Sequence, residues 1–203
     1  MSEKSFEIQS IETAYQGFFK TKQIHFKHSM YQGGWTQNID RELFSHGEAV
    51  IVLLYDLIAK QVVLVEQCRV GALPRAQQSK DCSQAWLLEP VAGLIDEGET
   101  AEQAGIREAH EEAGVAVSQL EYVCEFYPSP GACDEVLHLY ASDIAVDDVS
   151  DYAGLDDEHE DIKVVKLSFE QAKTMLLNGD FNVASTIIAL QWLFFQKLSN
   201  QVS

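Results

Sequence analysis

Residues 93–115 read GLIDEGETAEQAGIREAHEEAGV, and this stretch decides how the rest of the chain is placed. Gly93 and Gly98 bracket an acidic turn. Thr100 with Gln103 three residues on has the spacing of a capping box, which starts a helix. Gly114 stands where helices commonly end in the left-handed conformation. Within that helix Glu108 and Glu112 are four residues apart and share one face, with Glu111 beside them. Like charges at this spacing repel by roughly 0.2–0.5 kcal/mol per pair. Arg107, four residues before Glu111, offsets one of them, and the others call for a cation. A hard divalent ion takes oxygen ligands, and Mg²⁺ typically binds through one or two carboxylates together with substrate phosphates. A solvated acidic helix face is the ordinary reading of such a charge run, but it does not account for the glycines and the arginine.

The 203-residue chain is 46% hydrophobic, enough for one sizeable core with at most a small appendage. No apolar run approaches the ~20 residues of a membrane span. The opening MSEKSFEIQS lacks the apolar segment of a signal peptide. The expectation is a soluble, cytoplasmic protein that does not bind membranes. A net charge of −18, from 32 acidic and 14 basic residues, argues against nucleic acid as a partner. An anionic substrate would then need metal ions to reverse the local field. Cys68, Cys82, Cys124 and Cys133 have no C-x-x-C spacing and no paired histidines, so reduced thiols are expected rather than zinc or disulfides.

Along the chain, residues 1–47 hold short alternating runs. Lys22–Lys27 and Trp35–Phe44 read as strands joined at Gln32-Gly33-Gly34. This piece is too small to bury a core alone and is expected to form an N-terminal β subdomain beside a main domain of residues 48–203. Tyr15, Phe18 and Phe19 form an aromatic group that suits either packing or a ligand site. Glu48–Ile58 and Gln61–Val70 are apolar, β-branched runs joined by a tight turn, the clearest hairpin in the chain. Arg69, near its end, suits either a phosphate contact or an ion pair. Gly71–Gln84 reads as a flexible loop and Ala85–Ala92 as a strand entering the opening stretch, with Glu89 holding the turn or touching ligand. Leu120–Tyr127, Val136–Ile144 and Ile162–Leu167 read as strands. Asp147–Asp161 reads as an irregular acidic loop able to act as a lid, and Phe169–Leu177 and Val183–Leu198 read as helices.

A metal-binding carboxylate helix preceded by a glycine-bracketed acidic turn suits hydrolysis of a pyrophosphate, since bound metals neutralise phosphate oxygens and acidify water. A P-loop is excluded, because the glycines lack the following Lys-Ser/Thr, and the Asp-rich spacing of an EF-hand calcium loop is missing. The stretch is similar to the Nudix box, G-x5-E-x7-R-E-U-x-E-E-x-G-U with U apolar. Gly93, Glu99, Arg107, Glu108, Ala109, Glu111, Glu112, Gly114 and Val115 fill its fixed positions. Outside the box, Tyr15-x-Gly17-Phe18-Phe19, Arg41-Glu42-x-Phe44, Val65-Glu66-Gln67-x-Arg69, Leu88-Glu89-x-Val91-Ala92-Gly93, Ser129-Pro130-Gly131 and Asp157-Glu158-x-Glu160-Asp161-Ile162 resemble the ADP-ribose pyrophosphatase group of that superfamily.

The resemblance implies an α/β fold, a Nudix α/β/α sandwich with a mixed β-sheet, plus the small N-terminal β subdomain. It implies metal ligation by Glu108, Glu112 and the Ala92 carbonyl, with Glu160 near the metal, and Mg²⁺ as cofactor with Mn²⁺ as the alternative. By the same resemblance Glu158 is the base that activates water, Arg69 a phosphate contact and Glu135 a substrate contact. Phe18, Phe19, Arg41 and Glu42 would touch the adenosine end, some across a homodimer made by exchanged N-terminal strands. The implied reaction is cleavage of ADP-ribose to AMP and ribose 5-phosphate. The rivals are another nucleoside diphosphate sugar such as GDP-mannose, or a non-catalytic ADP-ribose binder. Two features depart from the group: His46 where an arginine is often found, and Gly105 inside the helix, which costs up to about 1 kcal/mol relative to alanine.

Overall fold

The computed structural model describes residues 3–155 and 159–199. The chain divides into two compact units. One takes in Met1–Glu48 and Tyr127–Val136, the other Ala49–Phe126 and Leu137–Ser203, as far as these residues are described.

The first unit is a three-stranded antiparallel sheet of β1 (Phe6–Gln16), β2 (Lys20–His28) and β3 (Ile39–Ser45), in that order. It departs from the sequence expectation in two ways. β1 is a full 11-residue strand, although almost all of it is exposed and no buried alternation marks it. The strand expected from Trp35 begins only at Ile39, because Met30–Gly34 closes into a turn and Trp35 makes a single bridge to Ser29. Gly33 and Gly34 both take positive φ there, a conformation that glycine adopts without steric cost.

The second unit is a sandwich: an eight-stranded mixed sheet with helices on both faces. β4 (Glu48–Asp56) and β5 (Gln61–Cys68) form its centre. Their continuous apolar runs reflect burial on both sides, as expected of a sheet covered twice. On β4, Val50, Val52 and Leu54 enter one core while Ile51, Leu53 and Tyr55 enter the other. On β5, Val63 and Val65 join the first core and Val62 and Leu64 the second. The first core is capped by α2 (Ala101–Ala113) through Ala104, Ala109 and Ala113. The second is capped by α3 (Phe169–Asn178) and α4 (Ala184–Trp192).

The β4–β5 hairpin forks, and the fork builds the site. The two strands pair only at Leu54–Asp56 with Gln61–Val63. Beyond that, β6 (Trp86–Glu89) pairs with β5 and β7 (Val91–Leu94) pairs with β4. The single strand expected over Ala85–Ala92 is therefore two, split at Pro90, which cannot donate to a ladder. The loop expected over Gly71–Gln84 contains a short helix, α1 (Leu73–Ser79). Its proline lies in the first turn, where a missing N–H costs nothing, and Lys80 closes it in the left-handed conformation. β8 (Glu121–Phe126) and β9 (Val136–Asp143) form an antiparallel pair, and the expected irregular segment after Asp147 contains β10 (Tyr152–Ala153), which pairs with β11 (Ile162–Ser168) just beyond it. Asp56 fixes the β4–β5 turn by accepting from the amides of Ile58, Ala59 and Val146, and these bonds hold its carboxyl below the usual range.

Candidate active site

The helix start and stop are as the sequence predicts. Thr100 and Gln103 make a reciprocal capping box, and Gly114 closes α2 with φ 67°. α2 lies against the sheet at its glycines. A side chain on Gly93 of β7 would collide with the Glu108 carboxylate. A Cβ on Gly105 would stand 2.7 Å from Leu120 Cδ1 and 3.0 Å from Val52 Cγ2. The glycine that departs from the group is therefore one that lets the helix approach the sheet.

Arg107 organises the outer carboxylates. Its Nη1 donates to Glu108 Oε1 at 2.6 Å and to Glu111 Oε2 at 2.9 Å. Its Nε and Nη2 donate to the two oxygens of Glu99 at 3.2 and 3.0 Å, and Nη2 also reaches the Leu94 carbonyl. The sequence led us to expect only the Glu111 pair. Shared among three carboxylates, the guanidinium is held still more firmly in its charged form, Glu99 contributing most. Glu99 itself is held below the usual carboxylate range, chiefly by Arg107.

Glu112 is different. It is only 2% exposed and makes no ion pair among the described residues. One oxygen accepts the Ala92 amide at 2.9 Å and the other accepts Gln67 Nε2 at 3.3 Å. Burial pushes its carboxyl up to about 8, partly opposed by the Ala92 amide, while the charges of Glu108 and Glu160 push it further. Burial also raises Glu108, against the pull of Arg107, and Glu160 acts on it in the same direction. Glu160 thus acts on both through its charge. Its backbone packs on Gly154, whose amide donates to the Glu111 carbonyl at the end of α2.

Among the described residues no three acidic, cysteine or histidine side chains form a ready-made metal cage. The site nevertheless suits a hard divalent ion. Carboxylates whose charge is disfavoured by burial are relieved by a cation, the donors are oxygen only, and phosphate oxygens of a substrate complete such a sphere.

The remaining predicted residues fall as follows. Glu158 lies outside the described residues. Arg69, at the end of β5, donates through Nε to Glu89 Oε2 at 2.6 Å, so both residues that the sequence left open meet each other. In the first unit, Phe18 is exposed and meets Phe19 edge-on at 4.8 Å. Phe19 stacks on His46 at 4.3 Å, and His46 Nδ1 stands 3.2 Å from Glu135 Oε1. Arg41 and Glu42 are exposed on β3. Gln67 carries no role in the sequence reading. The signal for it is that it continues the inward row Val63, Val65 on β5, where an apolar residue is expected.

The NUDIX domain family profile matches residues 45–187. The ADP-ribose pyrophosphatase of Haemophilus influenzae is 38% identical over 192 residues, covering 95% of this chain and 87% of that protein. The ADP-ribose pyrophosphatase of Escherichia coli K12 is 38% identical over 197 residues, covering 96% and 91%. A GDP-mannose pyrophosphatase of Shigella flexneri is 34% identical over 153 residues, covering 75% and 76%. The crystal structure of an ADP compounds hydrolase superposes with a TM-score of 0.69 over 97% of this chain and 95% of that one. At 21% identity it shows a common fold.

Proposed function

We propose that this chain, which belongs to the Nudix hydrolase family, cleaves the pyrophosphate of ADP-ribose with water to give AMP and ribose 5-phosphate. The observation that carries the chemistry is the buried Glu112 carboxylate one turn from Glu108, without an ion pair among the described residues. The substrate is supported by the relatives, since those named for ADP-ribose match nearly the whole chain and the one named for GDP-mannose matches less of it. GDP-mannose remains the second reading.

Glu108, Glu112 and Glu160, with the Ala92 carbonyl, are the residues that would hold Mg²⁺, or Mn²⁺ in its place. When bound, such an ion neutralises charge on the phosphates and acidifies water. Arg107 orients Glu108 and opposes the effect of burial on its charge. Arg69 orients a phosphate, with Glu89 fixing its guanidinium. Glu158 takes the proton of the attacking water, one P–O bond of the anhydride breaks, and the proton passes to the departing phosphate. Glu135 contacts the substrate, and Phe18, Phe19, Arg41 and Glu42 serve the adenosine end. A homodimer built on the first unit is supported by the exposure of Phe6, Ile8, Ile11, Tyr15 and Phe18. A cytoplasmic location is supported by the sequence, and no described helix is long and apolar enough to cross a membrane.

The test is turnover of ADP-ribose, GDP-mannose and related sugars across a Mg²⁺ titration, with sedimentation for the oligomeric state. ADP-ribose should give the highest kcat/KM. Preference for GDP-mannose would install the second reading, and metal-dependent binding without turnover would sink both.

A further inference from the structure

We propose that Gln67 is a positioning residue that holds Glu112 for the divalent ion and so sets metal affinity. This rests on the reading of Glu112 as a metal ligand. On β5 the residues facing α2 are Val63, Val65 and Gln67, and the first two are buried core. Gln67 continues the row and is 7% exposed. A buried amide without a partner costs about 1–3 kcal/mol, so its presence requires one. The partner is Glu112, whose Oε1 accepts from Gln67 Nε2 at 3.3 Å. The other oxygen accepts the Ala92 amide at 2.9 Å.

These two donors come from opposite sides of the fork. Ala92 is on β7, which pairs with β4, and Gln67 is on the stretch of β5 that pairs with β6. Each fixes one oxygen, so together they fix the plane of the carboxylate. Neither donor carries a charge. A lysine or arginine at position 67 would hold the same oxygen but compete with a bound cation. A neutral amide orients the carboxylate and leaves its charge for the metal. Glu108, one turn away, is held by a guanidinium. Gln67 therefore acts on the one box carboxylate that Arg107 does not reach. Partners of this kind, one step behind the ligand, are worth roughly 10–100-fold in metal affinity or activity.

The test is Mn²⁺ affinity of the substrate-free protein, read by electron paramagnetic resonance, for Gln67→Met, which keeps length and volume but removes the donor. Gln67→Asn, which keeps the amide but withdraws it by one methylene, is measured beside it. Both should raise the Mn²⁺ Kd by about 10-fold or more while the thermal midpoint of the metal-free protein changes little. Turnover of each variant should recover as Mn²⁺ is raised. Unchanged Mn²⁺ affinity in Gln67→Met would overturn the proposal. If Glu112→Gln also leaves Mn²⁺ affinity unchanged, it is the reading of Glu112 that has failed. A wild type that binds Mn²⁺ but ignores ADP-ribose would contradict the proposed substrate alone and leave the Gln67 comparison intact.

Discussion

Glu108 and Glu112 occupy the same face of the same helix, yet their surroundings are opposite in kind. Glu108 touches a guanidinium that also serves Glu99 and Glu111, in a network that solvent reaches. Glu112 is dry and is held by two neutral donors. An ion pair stabilises the charge of Glu108 whether or not a metal is present. For Glu112 the Ala92 amide and the more distant charge of Arg69 act in that direction, and burial outweighs them. On the proposed reading both carboxylates would hold the metal, but only Glu112 would depend on it for relief of its charge.

The largest effect expected from this contrast is on turnover. Glu112→Gln should lower kcat by roughly 10³-fold, since a metal centre contributes several kcal/mol to the barrier. The same change removes a carboxyl that resists ionisation, so the metal-free variant should melt no lower than wild type at neutral pH. A large fall in its melting temperature would show that Glu112 is structural. Glu158→Gln should lose about 10²–10⁴-fold in kcat at unchanged stability, as removal of a general base does. Near-normal turnover would move the base elsewhere.

Arg107→Met tests the other half. It leaves Glu99, Glu108 and Glu111 without their shared cation. Removing the shared cation of this partly exposed network costs about 1–3 kcal/mol, less than for a fully buried pair. The expected result is a clear drop in melting temperature in the absence of metal, recovered in part by Mg²⁺. A variant as stable as wild type would mean that Glu108 and Glu112 are not held differently after all.

A smaller effect is expected from pH. The folded carboxyl of Glu112 is raised to about 8, above its unfolded value. Its contribution to metal-free stability is therefore present in full below the unfolded value, near 4.3, and is lost as pH rises through about 8. Metal binds the ionised form, so apparent Mg²⁺ affinity should increase by up to about tenfold per pH unit below 8 and level off above it. Calorimetry in buffers of different ionisation enthalpy would read the released proton. Affinity independent of pH between 6 and 8 would refute the assignment.

How legible these features were depends on whether they are local. The helix, its caps and the face carrying Glu108 and Glu112 follow from spacing alone, because a helix turns a local pattern into geometry. The β4–β5 centre follows from its apolar runs. The fork does not, since it depends on Pro90 interrupting one strand and sending β6 and β7 to different neighbours. The meeting of Arg69 with Glu89 and of Gln67 with Glu112 is a product of that fork, and pairs 20 and 45 residues apart leave no periodic mark. β1 was hard to read for a different reason. Its pairing slips between Ile8 and Ser10 and between Thr13 and Tyr15, so its apolar residues Phe6, Ile8, Ile11 and Tyr15 do not keep one alternation.

The smallest effect expected is at Gly105, three residues before Glu108 on the face that meets the sheet. Replacing it with alanine should favour the helix by up to about 1 kcal/mol. The new Cβ would meet Leu120 Cδ1 at 2.7 Å and Val52 Cγ2 at 3.0 Å. The tip of Leu120 can swing away, but Val52 is β-branched and fixed at χ1, and it is fully buried in β4. Relief then requires α2 to lift. The clash outweighs the helix gain, and the expected outcome for Gly105→Ala is a melting temperature lower by about 2–4 °C, the equivalent of roughly 1 kcal/mol in a chain of this size. Because the lift acts on the whole inner face, it should loosen Glu112, held to the sheet by Ala92 and Gln67, more than Glu108, whose Arg107 partner travels with the helix. Mn²⁺ affinity should therefore weaken by more than the small stability loss alone would give. A stabilised variant with unchanged metal affinity would show that α2 has room to spare, and that the close approach at Gly105 does not seat the carboxylates.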